Sequence, residues 1–262
     1  MLSEERRNKI LEIIDREKII KIKDITSNFD VSIATARRDL DVLQEQLYIK
    51  RIYGGAAALT PSGTEPLFIT REVENRAEKI AIGKAAAELV NEGDTIILDI
   101  GTTTLEVARN LKKLNNITVL TSSLTIMNEL ANSNVTVYSL GGKIRPHELS
   151  MSGSITINAL EQFCVQKAFI GAAGVTFNEG ISDFNYEETQ VRLMAIKRAK
   201  QSILVTDSKK FGNNAFAITC PLVYFHTIIT DINLPQNFVD GIKDLKIELI
   251  TVQPAKVFEA NQ

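Results

Sequence analysis

The residues best equipped for chemistry near the start of the chain are hydrogen-bond donors, not nucleophiles. Ser32, Thr35, Arg37 and Arg38 lie close together, and Lys50, Arg51 and Tyr53 follow. Arginine forks match the O6/N7 edge of guanine, while lysine, hydroxyl groups and a helix N-terminus hold phosphates. One of the two arginines is free to act as a phosphate clamp, because helix neighbours point about 100° apart. A second set comprises Asp99, Gly101, Thr102 and Thr103, then Gly141, Gly142, Arg145, Gly171, Glu188 and Lys210. Glycines, hydroxyls and unpaired amides at strand-to-helix turns suit a phosphate, and Arg145 or Lys210 supplies a countercharge. Asp99, Asp183, Glu188 and Asp207 are placed to accept hydrogen bonds from sugar hydroxyls. Each of these residues also has a plain structural reading: Asp207 as a turn cap, Arg145 in a surface pair, Glu188 as a first-turn helix acid. His147 and His226 stand beside no convincing nucleophile, and Cys164 reads as helix packing.

The elements that must position the first set follow from periodicity. Ile10, Leu11, Ile13 and Ile14 give a helix over about 4–16, and Ile22, Ile25 and Phe29 give a shorter one over about 21–28. Asp30-Val31-Ser32 is a three-residue joint, with Ser32 placed to cap a third helix. In that helix Ile33, Ala36, Leu40 and Leu43 form the apolar stripe, leaving Thr35, Arg37, Arg38 and Gln44 toward solvent. Three short helices with a tight turn make a helix-turn-helix, whose third helix fits the major groove. The plainer alternative is an ordinary surface helix in which Arg37 pairs with Asp41. Residues 47–55, ending in Gly54-Gly55, read as a small strand pair, a wing that places Lys50 and Arg51 near the phosphate backbone.

This segment resembles the winged-helix domain of DeoR-type transcriptional repressors. The resemblance rests on Val31-Ser32, Thr35, Arg37-Arg38-Asp39-Leu40 and Arg51-Ile-Tyr-Gly54-Gly55-Ala56, with Ala36 departing from the larger aliphatic usual there.

At 262 residues the chain is long enough for two domains, expected at 1–58 and 76–262 with a linker at 59–75. Pro61, Ser62, Gly63 and Pro66 mark that linker, and Leu67, Phe68 and Ile69 are expected to dock on one of its neighbours. A 44% hydrophobic, 24% charged composition is that of a globular protein. The formal net charge is -2 and residues 1–58 carry a near balance of acids and bases, so the DNA footprint must be local, made by the third helix and wing, and helped by a dimer. Two cysteines and two histidines give no metal-ligand cluster, and no cofactor is expected. No apolar run approaches the roughly 18 residues of a membrane span, nor is there an apolar leader, so a cytoplasmic protein is expected.

From residue 76 aliphatic strands alternate with helices. Strands are expected at 95–100, 117–121, 135–140, 167–171, 202–206, 227–230 and 248–252, with helices at 76–90 and 123–131 and a longer one at 186–201. Such alternation implies parallel strands covered on both faces, an α/β sandwich, in which ligands collect beyond the strands' carboxyl ends. Residues 76–230 also look like the DeoR-type effector domain, through Lys79-Ile-Ala, Gly93-Asp94, Leu98-Asp99 with Gly101-Thr-Thr, Val119-Leu-Thr121, Leu140-Gly-Gly142, Ser152-Gly153, Lys167-Ala-Phe-Ile-Gly171, Glu188, and Asp207-Ser208 with Lys210-Phe-Gly212. That resemblance implies a fold similar to ribose-5-phosphate isomerase and the CoA transferases. It also implies a phosphate over Gly101–Thr103 with help from Lys210, and a sugar facing Asp99, Gly141–Gly142 and Gly171–Gly174. By that resemblance Ser122 stands where an asparagine is common, Gln166 where an aspartate is usual, Arg192 where a lysine is frequent and Lys209 where a small hydroxyl residue is frequent.

The resulting expectation is a transcriptional repressor of a carbohydrate-use operon. Its partners would be double-stranded operator DNA, a phosphorylated sugar that releases it, and further copies of itself in a dimer or tetramer. An activator or dual regulator of the same architecture is one alternative. A sugar-phosphate isomerase-like enzyme using Asp99 or Glu188 is the other, but isomerisation also needs a group to handle the oxygen proton.

Overall fold

A computed structural model describes residues 2–17, 19–46, 48–58 and 65–254. The chain divides into two compact units, Met1–Glu74 and Asn75–Gln262. Leu47 of the expected wing, and Pro61, Ser62 and Gly63, lie outside the described residues.

The first unit contains α1 (Ser3–Glu17), β1 (Ile19–Lys21), α2 (Ile22–Phe29), α3 (Ile33–Glu45), β2 (Ile49–Ile52), β3 (Gly55–Ala58) and α4 (Phe68–Val73). Its core is built from the predicted stripes: Ile10, Leu11 and Ile14 of α1, Ile25 of α2, and Ala36, Leu40 and Leu43 of α3, with Ile20, Ile49 and Ala56 from the strands. The turn between α2 and α3 is closed at Asp30, which adopts a left-handed conformation with φ 48° and donates its amide to the Thr26 carbonyl. Ser32 then caps α3. The wing is a three-stranded antiparallel sheet in the order β1-β3-β2. Two glycines make it possible: Gly54 turns the hairpin at φ +79°, and Gly55 lies so close to the Ile20 carbonyl that a Cβ would have no room.

Two features of this unit differ from expectation. Residues 68–73, within the stretch read as linker, form α4, which packs on α1 through Ile69 while Phe68 is buried. Ile33 is also not part of the core. Buried Asp39 shares the inward face with Ala36, Leu40 and Leu43, which centres that face away from Ile33 in the first turn and leaves it 57% exposed.

In the second unit, α5 (Arg76–Glu88), β4 (Thr95–Leu98), α6 (Thr102–Leu111), β5 (Thr118–Thr121), α7 (Leu124–Leu130) and β6 (Thr136–Ser139) alternate as predicted. A hairpin follows, β7 (Lys143–Arg145) with β8 (Ser150–Ser152), then α8 (Ser154–Glu161) and β9 (Val165–Ile170). After β10 (Gly174–Thr176) and β11 (Gly180–Asp183) come α9 (Tyr186–Arg198), β12 (Ala199–Val205), β13 (Ala217–Cys220), β14 (Thr227–Asp231), α10 (Gln236–Asp244) and β15 (Glu248–Val252). Seven strands make one parallel sheet in the order β15-β14-β12-β9-β4-β5-β6. The chain builds outward from β4 through β5 to β6, then returns to β4's other side and builds outward from β9. The order therefore reverses between β4 and β9, the topological switch point where α/β sheets open a crevice. Ile97, Leu120, Ala168, Ile170, Leu204 and Ile228 from the sheet join α9 and α10 in the main core.

Here too there are corrections. The long helix stops at Arg198, not 201, because Ala199 pairs with Val165 and Gln201 with Lys167, and this sheet pairing overrides the helix-forming composition. Cys164 does not pack a helix. It is exposed before β9, where Arg198 reaches its Sγ at 3.2 Å.

Candidate functional sites

On α3, the Ser32 hydroxyl accepts the Thr35 amide at 3.1 Å and lies 3.0 Å from the Thr35 hydroxyl, which fixes the start of the helix. Arg37 and Arg38 stand exposed one turn further on and, among the described residues, form no ion pair. The acid that offered Arg37 a partner, Asp41, is taken instead by Arg51. Arg51 also donates from Nε to the Gly55 carbonyl at 3.3 Å, so it braces the wing against α3. Lys50 remains exposed, and Tyr53 stands fully in solvent at the hairpin turn.

Sequence reasoning missed Asp39. This residue is buried and receives Arg6 of α1 through two bonds, Nε at 2.6 Å and NH2 at 3.2 Å, with Arg7 at 3.7 Å. It fixes the angle between α1 and the helix that presents Arg37 and Arg38. Its place directly after two arginines gave no sign of this, since the partner lies at the other end of the unit.

In the second unit Asp99 and Gly171 follow β4 and β9, the two strands that flank the switch point. The Gly171 amide donates to Asp99 Oδ2 at 3.0 Å across that gap. The same oxygen receives Arg192 Nε from α9 at 2.6 Å, while Arg192 NH1 reaches Asp183 Oδ2 at 2.8 Å. Arg192 is 2% exposed. Burial works against its charge, but Asp99 and Asp183 outweigh that and hold the guanidinium above its ordinary value. One cation serves two carboxylates, so burial lifts the Asp99 carboxyl above the usual range against the pull of Arg192.

One turn earlier on α9, Glu188 is equally buried. It accepts from Ser150 Oγ at 2.6 Å and from Arg145 NH1 at 3.0 Å, so both strands of the β7–β8 hairpin are clipped to it. Glu187 beside it accepts from Ser152 at 3.0 Å and Lys143 at 3.4 Å. β8 also rides on the end of β5, with the Met151 amide donating to the Ser122 carbonyl.

Gly101 opens α6 with φ +130°, a conformation reserved for glycine, and Thr102 and Thr103 are buried behind it. The first amides of a helix have no intrahelical acceptor, and α6 aims them at the crevice end of the sheet. Gly141 and Gly142 follow β6, two strands away, where the Gly141 carbonyl accepts from Thr156 at 2.7 Å. Lys210 lies half-buried after β12, in a short 3-10 turn capped by Asp207. No described hydrogen bond ties it to the Asp99 group. Beside that turn a cavity of about 390 Å³ opens, lined by Asp207, Asp231, Asn75 and Glu78 among others.

The family model for the DeoR-like helix-turn-helix domain matches residues 6–62, and that for the DeoR C terminal sensor domain matches residues 74–232. The chain belongs to the DeoR family of transcription regulators. It is 35% identical over 257 residues to the HTH-type transcriptional regulator YulB of Bacillus subtilis, covering 98% of this chain and 99% of that one. It is 29% identical to the glycerol-3-phosphate regulon repressor of Escherichia coli, covering 95% and 99%. A solved ribose 5-phosphate isomerase A from Methanocaldococcus jannaschii aligns over 53% of this chain and 55% of its own, at 18% identity and a TM-score of 0.40.

Membership of the DeoR family makes the chain a regulator with a DNA-reading unit and a sensor unit, not an enzyme. Among the described residues no helix is long and apolar enough to cross a membrane. Two departures from the DeoR pattern have a structural account. Gln166 accepts the Thr95 amide through Oε1 at 2.8 Å, so an acceptor stands where the family's acid usually does. Arg192 uses two separate nitrogens to bridge Asp99 and Asp183, which a lysine's single nitrogen does differently. Sequence reasoning did not place Arg192 in the site; its i, i+4 spacing from Glu188 on α9 is the signal that could have found it.

Proposed function

We propose that this DeoR-family regulator represses a carbohydrate-use operon and is lifted from its operator by a phosphorylated sugar bound at the switch point of the sensor sheet. The observation that carries the reading is the start of α6. Its unpaired amides, Gly101 and the Thr102–Thr103 pair form an anion cradle beside Asp99 and Gly171. In this reading the phosphate lies on Gly101–Thr103, and Lys210 and Arg145 supply countercharge. The sugar hydroxyls meet Asp99, Glu188 and the backbone of Gly141, Gly142 and Gly171. The name of the glycerol-3-phosphate regulon repressor, a relative along nearly the whole chain, supports repression and a phosphorylated carbohydrate.

On the DNA side, Arg37 and Arg38 donate to base edges or phosphates, and Lys50, Tyr53, Thr35 and the helix start at Ser32 hold the backbone. Arg51 contributes mainly by bracing the wing. A dimer or tetramer doubles this modest footprint and matches a two-fold operator.

The test is fluorescence anisotropy on DNA from upstream of the chain's own operon, at one fixed salt concentration, with and without a panel of sugar phosphates. Specific binding reversed by one compound supports the proposal. Binding that a sugar phosphate tightens overturns release as the response, binding that no sugar phosphate changes overturns the assignment of the effector, and the position of the operator relative to the promoter separates a repressor from an activator or dual regulator.

A further inference from the structure

The outward face of α3 begins with a residue that the core does not use. Ile33 is 57% exposed in the first turn of the recognition helix, followed by exposed Ala34 and, one turn on, by Arg37 and Arg38. The two hydroxyls at this end, Ser32 and Thr35, are turned on each other in the cap. Asp41 further along the same face is neutralised by Arg51. What α3 offers the base edges, apart from the backbone contacts of its capped start, is therefore an aliphatic group at its N-terminal end and two cations behind it.

A single exposed isoleucine on an arbitrary helix needs no explanation. This one stands where helix-turn-helix proteins insert their helix into the major groove, with N-terminal residues against the base edges. The major groove presents one apolar feature, the C5-methyl of thymine. Side chains four apart on a helix lie about 5–6 Å from each other, and successive bases on a strand are about 3.4 Å apart. Ile33 and Arg37 thus span one or two base steps. We infer that Ile33 is a specificity-determining residue, packing on the methyl group of a thymine one or two steps from the base that Arg37 contacts. The inference rests on the DNA-binding reading above and adds a base preference to it.

The experiment starts from in vitro selection of duplexes by the full-length wild-type protein. Each thymine of the enriched half-site is then replaced singly by deoxyuridine, which removes only the methyl group. Affinities are measured for wild type, Ile33→Ala and Ile33→Leu. Burying one methyl is worth about a fourfold change in affinity. The wild type is expected to lose about that factor at one thymine per half-site, Ile33→Ala to lose nothing further there, and Ile33→Leu to retain part of the sensitivity. An enriched site at which wild type and Ile33→Ala respond alike to every deoxyuridine overturns the role of Ile33 and leaves the DNA-binding reading standing. Failure to enrich any sequence overturns both.

Discussion

A guanidinium sealed from water between two carboxylates adds little net stability while it is intact, yet removing it leaves buried charge with no counterion. Arg192→Ala strands Asp99 and Asp183 in that way, and the expected loss is about 3–5 kcal/mol of sensor-unit stability. Urea denaturation followed by circular dichroism measures it, and a change below about 1 kcal/mol shows that water or another cation replaces Arg192 without difficulty. A second residue-scale prediction concerns the thiols. Burial pushes the Cys220 thiol up to about 12, whereas Cys164 lies exposed. At about pH 8.5, where an ordinary thiol is half ionised, native protein is expected to take up one alkyl group, at Cys164, and denatured protein two. Peptide mapping after alkylation checks this, and rapid native labelling of Cys220 contradicts the packing described for it.

At the scale of elements, the recognition helix depends on its contact with α1. Asp39→Ala removes the acceptor for Arg6, leaves that α1 guanidinium without its partner and lets the angle of α3 relax. The expected cost is about 3 kcal/mol in the DNA-reading unit, as for breaking a pair whose two members are both buried. Operator affinity should fall with it while sugar-phosphate binding, followed by calorimetry, is unchanged. Wild-type operator affinity in the variant would mean that the core alone sets the helix angle. The elements that sequence made legible share one property, a period carried by enough residues to stand out. The stripes of α1, α2 and α3 and the aliphatic runs of the seven parallel strands are of this kind. Strand β1 and the short strands β7, β8, β10, β11 and β13 were not legible. Each has three or four residues and, unlike the equally short β4, β5 and β6, does not alternate with helices in a repeating βα pattern; their pairing is set by distant partners, as when Ile19–Lys21 meets Gly55–Ala57. Helix α4 was hidden by the proline and glycine before it. At the sites, the sequence clusters residues that lie in one motif, but the Asp39 bond to Arg6 and the Asp99 bond to Arg192 join partners 33 and 93 residues apart, which no local pattern marks.

For the whole molecule, repression and release require two binding activities that can be lost separately yet influence each other. Arg38→Ala removes an exposed cation of α3 that has no structural partner among the described residues, so folding should be unaffected. Specific operator affinity is expected to fall about tenfold or more, as for loss of one good base or phosphate contact of about 1–3 kcal/mol, with sugar-phosphate affinity retained. Lys210→Ala should do the opposite, giving a protein that binds its operator normally and is not released by the effector. In the proposed mechanism the coupling is reciprocal by thermodynamic necessity: the factor by which the sugar phosphate weakens operator binding must equal the factor by which operator DNA weakens sugar-phosphate binding. To reverse a 99:1 preference, the effector must favour the released form by about 5.5 kcal/mol, which several charge-assisted bonds at the α6 cradle are sufficient to provide. Anisotropy titrations of DNA at fixed effector, and calorimetric titrations of effector at fixed DNA, give the two factors independently. Equal factors show that both titrations read one coupled equilibrium; loss of release in Lys210→Ala with operator affinity intact ties that coupling to the sensor unit, release retained there argues against Lys210 as a contact, and a simultaneous loss of both activities in Arg38→Ala or Lys210→Ala would trace to misfolding instead of to either site.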